Sequence, residues 1–343
     1  MTARYRPSID LVDGVLAGRE RAVARLISRA EAGDPECRPA LARIYRNCGQ
    51  AHVVGITGVP GSGKSSLLRH LAEAASAVGH RVAVVAVDPS SPFSGGAILG
   101  DRIRLKDMAA DLGVFVRSMA TRGNLGGLAR ASLDAVDILD AAGYDMIFIE
   151  TVGVGQDEVD IVRAAHSTVV VSAPGLGDDI QAIKAGILEI ADLHVVSKAD
   201  RPDAYKTIKE LKSMLTMALA TDRVWHPPVV ACSSQDRTGI DELIEQIGAH
   251  WRRLHDSGRL ARRRRAKAEA RIVKLAEEII RESFERDREA ALSDLVNDVA
   301  AHETDPHTAA RSLLQAINGR VHDDQDSNPA HGPSVPRRED AEA

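Results

Sequence analysis

Hydrophobic positions along the chain fall into two alternating patterns. Short runs that are apolar at nearly every position are separated by longer stretches in which apolar residues return at helical spacing. The runs are Val53 to Ile56, Arg81 to Val87, Val114 to Val116, Asp145 to Ile149, Thr168 to Ser172, Leu193 to Val196 and Val229 to Ala231. The helical stretches include Ser65 to Ala77, Leu125 to Ala141, Asp179 to Ala191, Asp203 to Ala220 and Ile240 to Arg253. Strands that are apolar throughout and joined by helices predict an α/β fold, a mostly parallel sheet covered by helices on both faces.

The pattern changes at both ends. Upstream, Ala22, Val23, Leu26 and Ile27 recur at helical spacing, and Asp34-Pro35 breaks the chain before a second helix, Pro39 to Asn47. Downstream, Gly258 to Ser283 is charged and helix-favouring and predicts a long exposed helix, and helical patterns continue through Leu292 to Ala300 and, after Pro306, through Ala309 to Ile317. From about His322 periodicity stops. The expected organisation is a helical extension over 1–48, the α/β domain over 49–256, a helical arm over 257–321 and a disordered tail over 322–343.

Composition narrows the chemistry. Aromatic residues make up only 3% of the 343 residues, so the core must be aliphatic. No apolar run approaches the ~18 residues that span a bilayer, and Met1 to Asp13 lacks the apolar centre of a signal peptide, which points away from membranes and to the cytoplasm. A net charge of -5 excludes a chain built to coat nucleic acid. The three cysteines, Cys37, Cys48 and Cys232, form no C-x-x-C pair, so buried or idle thiols are expected. Arg262 to Arg265 reads as a solvated helix face, a nucleic-acid contact or a partner surface; Glu269, Glu277, Glu278 and Glu282 on the same segment favour the first.

One segment carries specific chemistry. Gly58-Val59-Pro60-Gly61-Ser62-Gly63-Lys64-Ser65 fits G-x-x-x-x-G-K-[ST] between a predicted strand and a helix that starts near Ser66. Glycines let consecutive N–H groups turn toward phosphates, and the helix offers its positive end to the same charge. Lys64 is expected on the β and γ phosphates and Ser65 on magnesium. Asp88 and Glu150 end apolar strands at the sheet edge where α/β folds bind ligands, and Asp101 lies in a Gly-rich loop, so these acids are candidate metal ligands.

Glu150-Thr151-Val152-Gly153 has the D-x-x-G spacing of a GTPase switch, with Glu for Asp. Val154 follows the glycine where Ras-like enzymes place a water-orienting Gln, so slow intrinsic hydrolysis is expected. Gln156 and Lys184 are alternative accelerators. Ser197-Lys198-Ala199-Asp200 resembles N-K-x-D, with Ser for Asn at the first position: Asp200 can accept from N1–H and the 2-amino group of guanine while the Lys198 stem can lie along the ring. Ser197 is shorter than Asn and is expected to tie the loop down less well. Cys232-Ser233-Ser234 follows the last strand, where a backbone N–H would meet guanine O6.

Gly58 to Ser66, Val87-Asp88-Pro89-Ser90-Ser91-Pro92, Gly100-Asp101-Arg102, Glu150 to Gln156 and Ser197 to Asp200 together resemble the MeaB/ArgK family of methylmalonyl-CoA mutase-associated GTPases. The resemblance spans roughly Leu11 to Ile317. It implies a P-loop GTPase fold and a homodimeric chaperone that couples GTP binding and hydrolysis to GDP to the loading or protection of adenosylcobalamin in an acyl-CoA mutase. It also implies that Lys64 and Ser65 hold phosphate and magnesium, that Asp88, Asp101 and Glu150 surround the metal, and that Lys198 and Asp200 hold guanine. The loop from Gly175 to Lys184 resembles a further switch. Ile103 and Leu105 depart from the family's D-K-T-R-M segment. A nickel-delivery GTPase and a P-loop kinase are the competing readings.

Overall fold

The computed structural model describes residues 6–88, 113–120, 130–151, 164–175, 191–218 and 225–315, and the side chains of all of these but 88, 120, 218 and 282–291. The chain divides into two compact units, Met1–Lys267 and Ala268–Ala343.

In the first unit, helices α1 (Val12–Leu16), α2 (Glu20–Ala32) and α3 (Arg38–Tyr45) precede strand β1 (His52–Gly58) and helix α4 (Lys64–Ala77). Then come β2 (Val82–Asp88), β3 (Phe115–Ala120), α5 (Arg130–Ala141), β4 (Met146–Thr151), β5 (Ser167–Ser172), β6 (Leu193–Val196), α6 (Ala204–Ala218), β7 (Val229–Ala231) and α7 (Ile240–Asp256). The strands form one seven-stranded sheet in the order β3-β2-β4-β1-β5-β6-β7, and every recorded pairing is parallel. The predicted α/β fold, a parallel sheet flanked by helices, is the fold observed.

Alternation along each strand sends successive side chains to opposite faces. On one face, Val53, Val85, Val87, Ile147 and Ile149 pack with Val23, Leu26 and Ile27 of α2, Ile44 of α3 and Ile138 and Leu139 of α5. The helices before β1 therefore build the same core as the sheet. On the other face, Val54, Ile56, Val84 and Phe148 pack with Leu67, Leu68 and Leu71 of α4 and with Leu243 and Ile247 of α7. A third cluster joins Val170 and Val196 to Leu211 and Leu215 of α6. The central strands β1, β4 and β5 are buried at every position, so the middle of each reads as an apolar run.

The helical patterns over Gly258 to Ser283 and on through Leu292 to Ala300 form one helix, α8 (Arg259–Ala300). No proline or glycine interrupts it, and the polar stretch between the two is helix-compatible. Helix α9 spans 306–315, with Pro306 in its first turn and Asp305 Oδ1 accepting from the N–H groups of His307 and Thr308 at 2.9 and 3.0 Å. Among the described residues, no helix is long and apolar enough to cross a membrane.

Candidate functional site

The strand order reverses at β1: β4, β2 and β3 lie on one side, β5, β6 and β7 on the other. Ligands of open α/β sheets bind at the carboxyl end of such a switch point. At that end Gly58 leaves β1 with φ 138°, and a Cβ there would sit 2.1 Å from the Val171 carbonyl oxygen of β5. Only glycine fits. Gly63, at φ 83°, caps α4 and brings no side chain to its first-turn N–H groups, which are thereby left for a ligand. Lys64 is buried, and its Nζ donates to the carbonyls of Gly58 and Val59 at 2.7 and 3.0 Å, so the ammonium is held across the loop. Ser62 N–H donates to Val59 O at 3.2 Å and closes the turn.

The neighbouring residue begins the cation side of the site. Ser65 Oγ donates to Glu150 Oε1 at 2.7 Å. Register explains the meeting: Ile56 of β1 and Ala86 of β2 both lie opposite Glu150, which puts the carboxylate between the phosphate loop and the end of β2. Glu150 is only 8% exposed. A hydroxyl and a carboxylate offer two hard oxygen donors, the set magnesium prefers, so the residues present fit that ion. Asp88 occupies the last position of β2 at the same edge. Asp101, Gln156 and Lys184, and with them the loops 152–156 and 176–184, lie outside the described residues.

The base-reading segment sits on the other side of the phosphate loop. Ser197 Oγ donates to the carbonyls of Ser62 and Ser172, so this serine does tie its loop to the phosphate loop despite its short side chain. Lys198 takes φ 52° and its Nζ donates to Gly61 O at 2.9 Å, which lays the stem over the loop. Ala199 N–H donates to Cys232 O at 3.0 Å, joining this segment to the one after β7. Asp200 is exposed. Ser233 N–H is already given to Thr238 O at 3.0 Å. Of the two serines, Ser234 is therefore the one whose N–H can meet a base. Ser66, in the first turn of α4, is exposed.

Two sets of residues escaped the sequence reading. His70 of α4 reaches Ser234 O at 3.1 Å. At the opposite, amino-terminal edge of the sheet lies a buried polar chain: His52 Nε2 bonds Ser167 Oγ at 2.7 Å, Ser167 Oγ bonds His250 Nδ1 at 2.7 Å, and His250 Nε2 lies 3.3 Å from Asp192 Oδ1. Arg263 closes it with two bonds to Asp192, at 2.7 and 3.0 Å. Trp251 stacks on His52 with centroids 4.4 Å apart. Burial is the first cause that pushes His52 down to about 3 and His250 to about 4, and it lowers His166 as well. Ser167 is fully enclosed, so this chain of groups holds structure rather than substrate. Arg263 thus departs from the solvated face expected of the arginine run. None of the three cysteines is in a disulfide, and burial pushes the Cys232 thiol up to about 12.

Comparison with known proteins adds a family. Residues 23–289 match the family described as methylmalonyl Co-A mutase-associated GTPase MeaB. A protein of Pyrococcus horikoshii that carries a GTPase name is 46% identical over 92% of this chain and 100% of its own length. The GTPase ArgK of Escherichia coli is 35% identical over 82% of this chain and 86% of its own. Among solved structures, a LAO/AO transport system kinase superposes with a TM-score of 0.68 at 25% identity, covering 93% of this chain and 100% of that one.

Proposed function

The chain belongs to the MeaB family of methylmalonyl-CoA mutase-associated GTPases, and from that premise we propose that it couples GTP binding and hydrolysis to the loading and protection of adenosylcobalamin in an acyl-CoA mutase, methylmalonyl-CoA mutase being the client the family description favours. GTP is cleaved to GDP and phosphate. In the proposed site, Lys64 and the N–H groups from Gly58 to Ser66 take the β and γ phosphates. Ser65 and Glu150, with Asp88 and Asp101, hold a magnesium ion, which when bound neutralises charge on the phosphate oxygens. Asp200 accepts from the guanine N1–H and 2-amino group, Lys198 covers the ring, and Ser234 N–H meets O6.

The attacking water is oriented by Gln156 or Lys184. Neither replaces the Ras-type glutamine in the chain position after Gly153, so turnover is slow until the client completes the site. The protein acts as a homodimer through the arm of 257–321.

The observation that carries this reading is the 2.7 Å contact between Ser65 and Glu150, beside a phosphate loop crossed by the Lys64 ammonium. Calorimetry with GTP and ATP in the presence of magnesium, followed by turnover with and without a purified methylmalonyl-CoA mutase, tests it. Preferential GTP uptake and mutase-stimulated turnover are expected; equal uptake of ATP, or turnover indifferent to the mutase, would sink the base or the client assignment respectively.

A further inference from the structure

Helix α4 begins in the phosphate loop, and six residues after Lys64 it presents His70 to the segment that follows β7. His70 Nε2 lies 3.1 Å from Ser234 O. A carbonyl only accepts, so the ring nitrogen is the donor and the proton sits on Nε2. His70 is mostly buried, its side chain 18% exposed.

The contact matters because of which peptide units it fixes. Ser233 N–H donates to Thr238 O at 3.0 Å, which pins the unit before Ser233. Gln235 N–H donates to Ser233 Oγ at 3.2 Å, and Ser234 O, in the same peptide unit as Gln235 N, takes the His70 proton. Both units that flank the Ser233–Ser234 peptide are therefore held. The N–H of Ser234, carried by the unit between them, has little freedom left to turn. Glu73, one turn along α4, adds a second strut by accepting from Arg237 at 3.0 Å, where the backbone takes φ 66°.

We propose that His70 is a specificity-positioning residue: through Ser234 it aims a backbone N–H at the purine 6-oxo group, so that the phosphate-loop helix also enforces the choice of a 6-oxopurine. This rests on the base assignment made above for Asp200 and Ser234. The chemistry recognised is the 6-oxo group of a purine nucleotide.

The test compares GTP with 2-aminopurine riboside triphosphate, which keeps the 2-amino group but lacks O6 and with it the N1–H, and with xanthosine triphosphate, which keeps O6 and N1–H and whose discrimination falls to Asp200; the part of the preference that changes with His70 is the part assigned to O6. Dissociation constants are measured by calorimetry for the full chain and for His70→Ala. The wild-type protein is expected to favour GTP over the 2-aminopurine analogue, and His70→Ala to shrink that preference about fivefold, the size of one net hydrogen bond, while the preference over xanthosine triphosphate stays unchanged. His70→Gln, whose amide can still donate, should restore the preference. His70→Leu repeats the measurement if the alanine variant does not fold. A wild-type protein blind to O6 would overturn the base assignment itself. A wild-type preference that survives intact in His70→Ala and His70→Leu would overturn the role of His70 alone.

Discussion

Ser197 Oγ donates to the backbone carbonyl of Ser62, so the segment that reads the base is bonded directly to the loop that holds the phosphates. The same hydroxyl lies 3.0 Å from Ser172 O at the end of β5. One small side chain thus joins three loops at the carboxyl edge of the sheet, and it is 4% exposed.

Removing that hydroxyl takes its donor from the Ser62 carbonyl, while Ser172 O keeps the Ser197 N–H at 2.8 Å, and the loss costs about 1–3 kcal/mol. Ser197→Ala is expected to weaken guanine nucleotide binding about tenfold and to lower Tm by a few degrees. Calorimetry with GDP alongside a thermal melt checks both. An unchanged Kd would show that the tie does not shape the nucleotide site.

Lys64 and Asp200 separate phosphate from base. Lys64→Ala removes the ammonium that bridges the Gly58 and Val59 carbonyls, and triphosphate binding is expected to vanish for every base. Asp200→Asn reverses the hydrogen-bond pattern offered to the purine: GTP should weaken and xanthosine triphosphate improve, each by about tenfold. Competition titrations of the three nucleotides on both variants provide the readout. GTP preference retained in Asp200→Asn would contradict the base assignment.

Much of this is legible in the sequence. Leu193 to Val196 and Val229 to Ala231 coincide with β6 and β7 to the residue, because both runs are rich in valine and are preceded by strand-poor residues, Asp192 and Pro228. Strand β3 was foreshortened: it runs on through Arg117 and Ser118, tolerated because β3 is an edge strand. Arg117 there finds Glu31 of α2 as its ion-pair partner at 2.5 Å. The phosphate loop was legible because its chemistry needs glycine, lysine and serine at fixed spacing. The Ser197–Ser62 bond was not, since a backbone carbonyl leaves no mark in sequence. Nor was the polar chain of His52, Ser167, Asp192, His250 and Arg263, whose members come from five separate stretches and meet only when β1, β5 and β6 align and α7 and α8 pack beneath them.

Arg262 and Arg263 are neighbours in a run of four, yet only one is anchored. Arg263 makes a two-pronged bond to Asp192, a residue 7% exposed whose carboxylate also takes the Thr168 N–H at 2.9 Å. Arg262 is exposed. Arg263→Ala is therefore expected to cost about 1–3 kcal/mol of stability, less than a fully buried pair because its side chain is 32% exposed. Arg262→Ala should stay within about 0.5 kcal/mol of wild type. Urea midpoints for the two variants decide it: equal midpoints would return Arg263 to a solvated face.

The histidines of the same edge make stability depend on pH in a definite direction. His52 stands at about 3 and His250 at about 4, each lowered mainly by burial, against an ordinary value of 6.5. Around His52 stand Ser167, Trp251, His250, His255 and Lys267; around His250 stand Ser167, Asp192 and Arg263, of which only the Asp192 carboxylate favours the charged form. In the unfolded chain both imidazoles take up protons as pH falls through about 6.5, whereas in the fold they stay neutral until about pH 4 or 3. The unfolded state then binds more protons, so the fold is most stable above pH 6.5 and loses ground between there and about pH 3, at about 1.4 kcal/mol per pH unit for each histidine once its unfolded form is fully charged. Urea unfolding at pH 7.5, 6 and 5 should show this decline, and His52→Phe, which keeps the ring on Trp251 but cannot take a proton, should flatten it by one histidine's share. A slope unaltered in His52→Phe would mean that His52 titrates alike in the folded and unfolded chain.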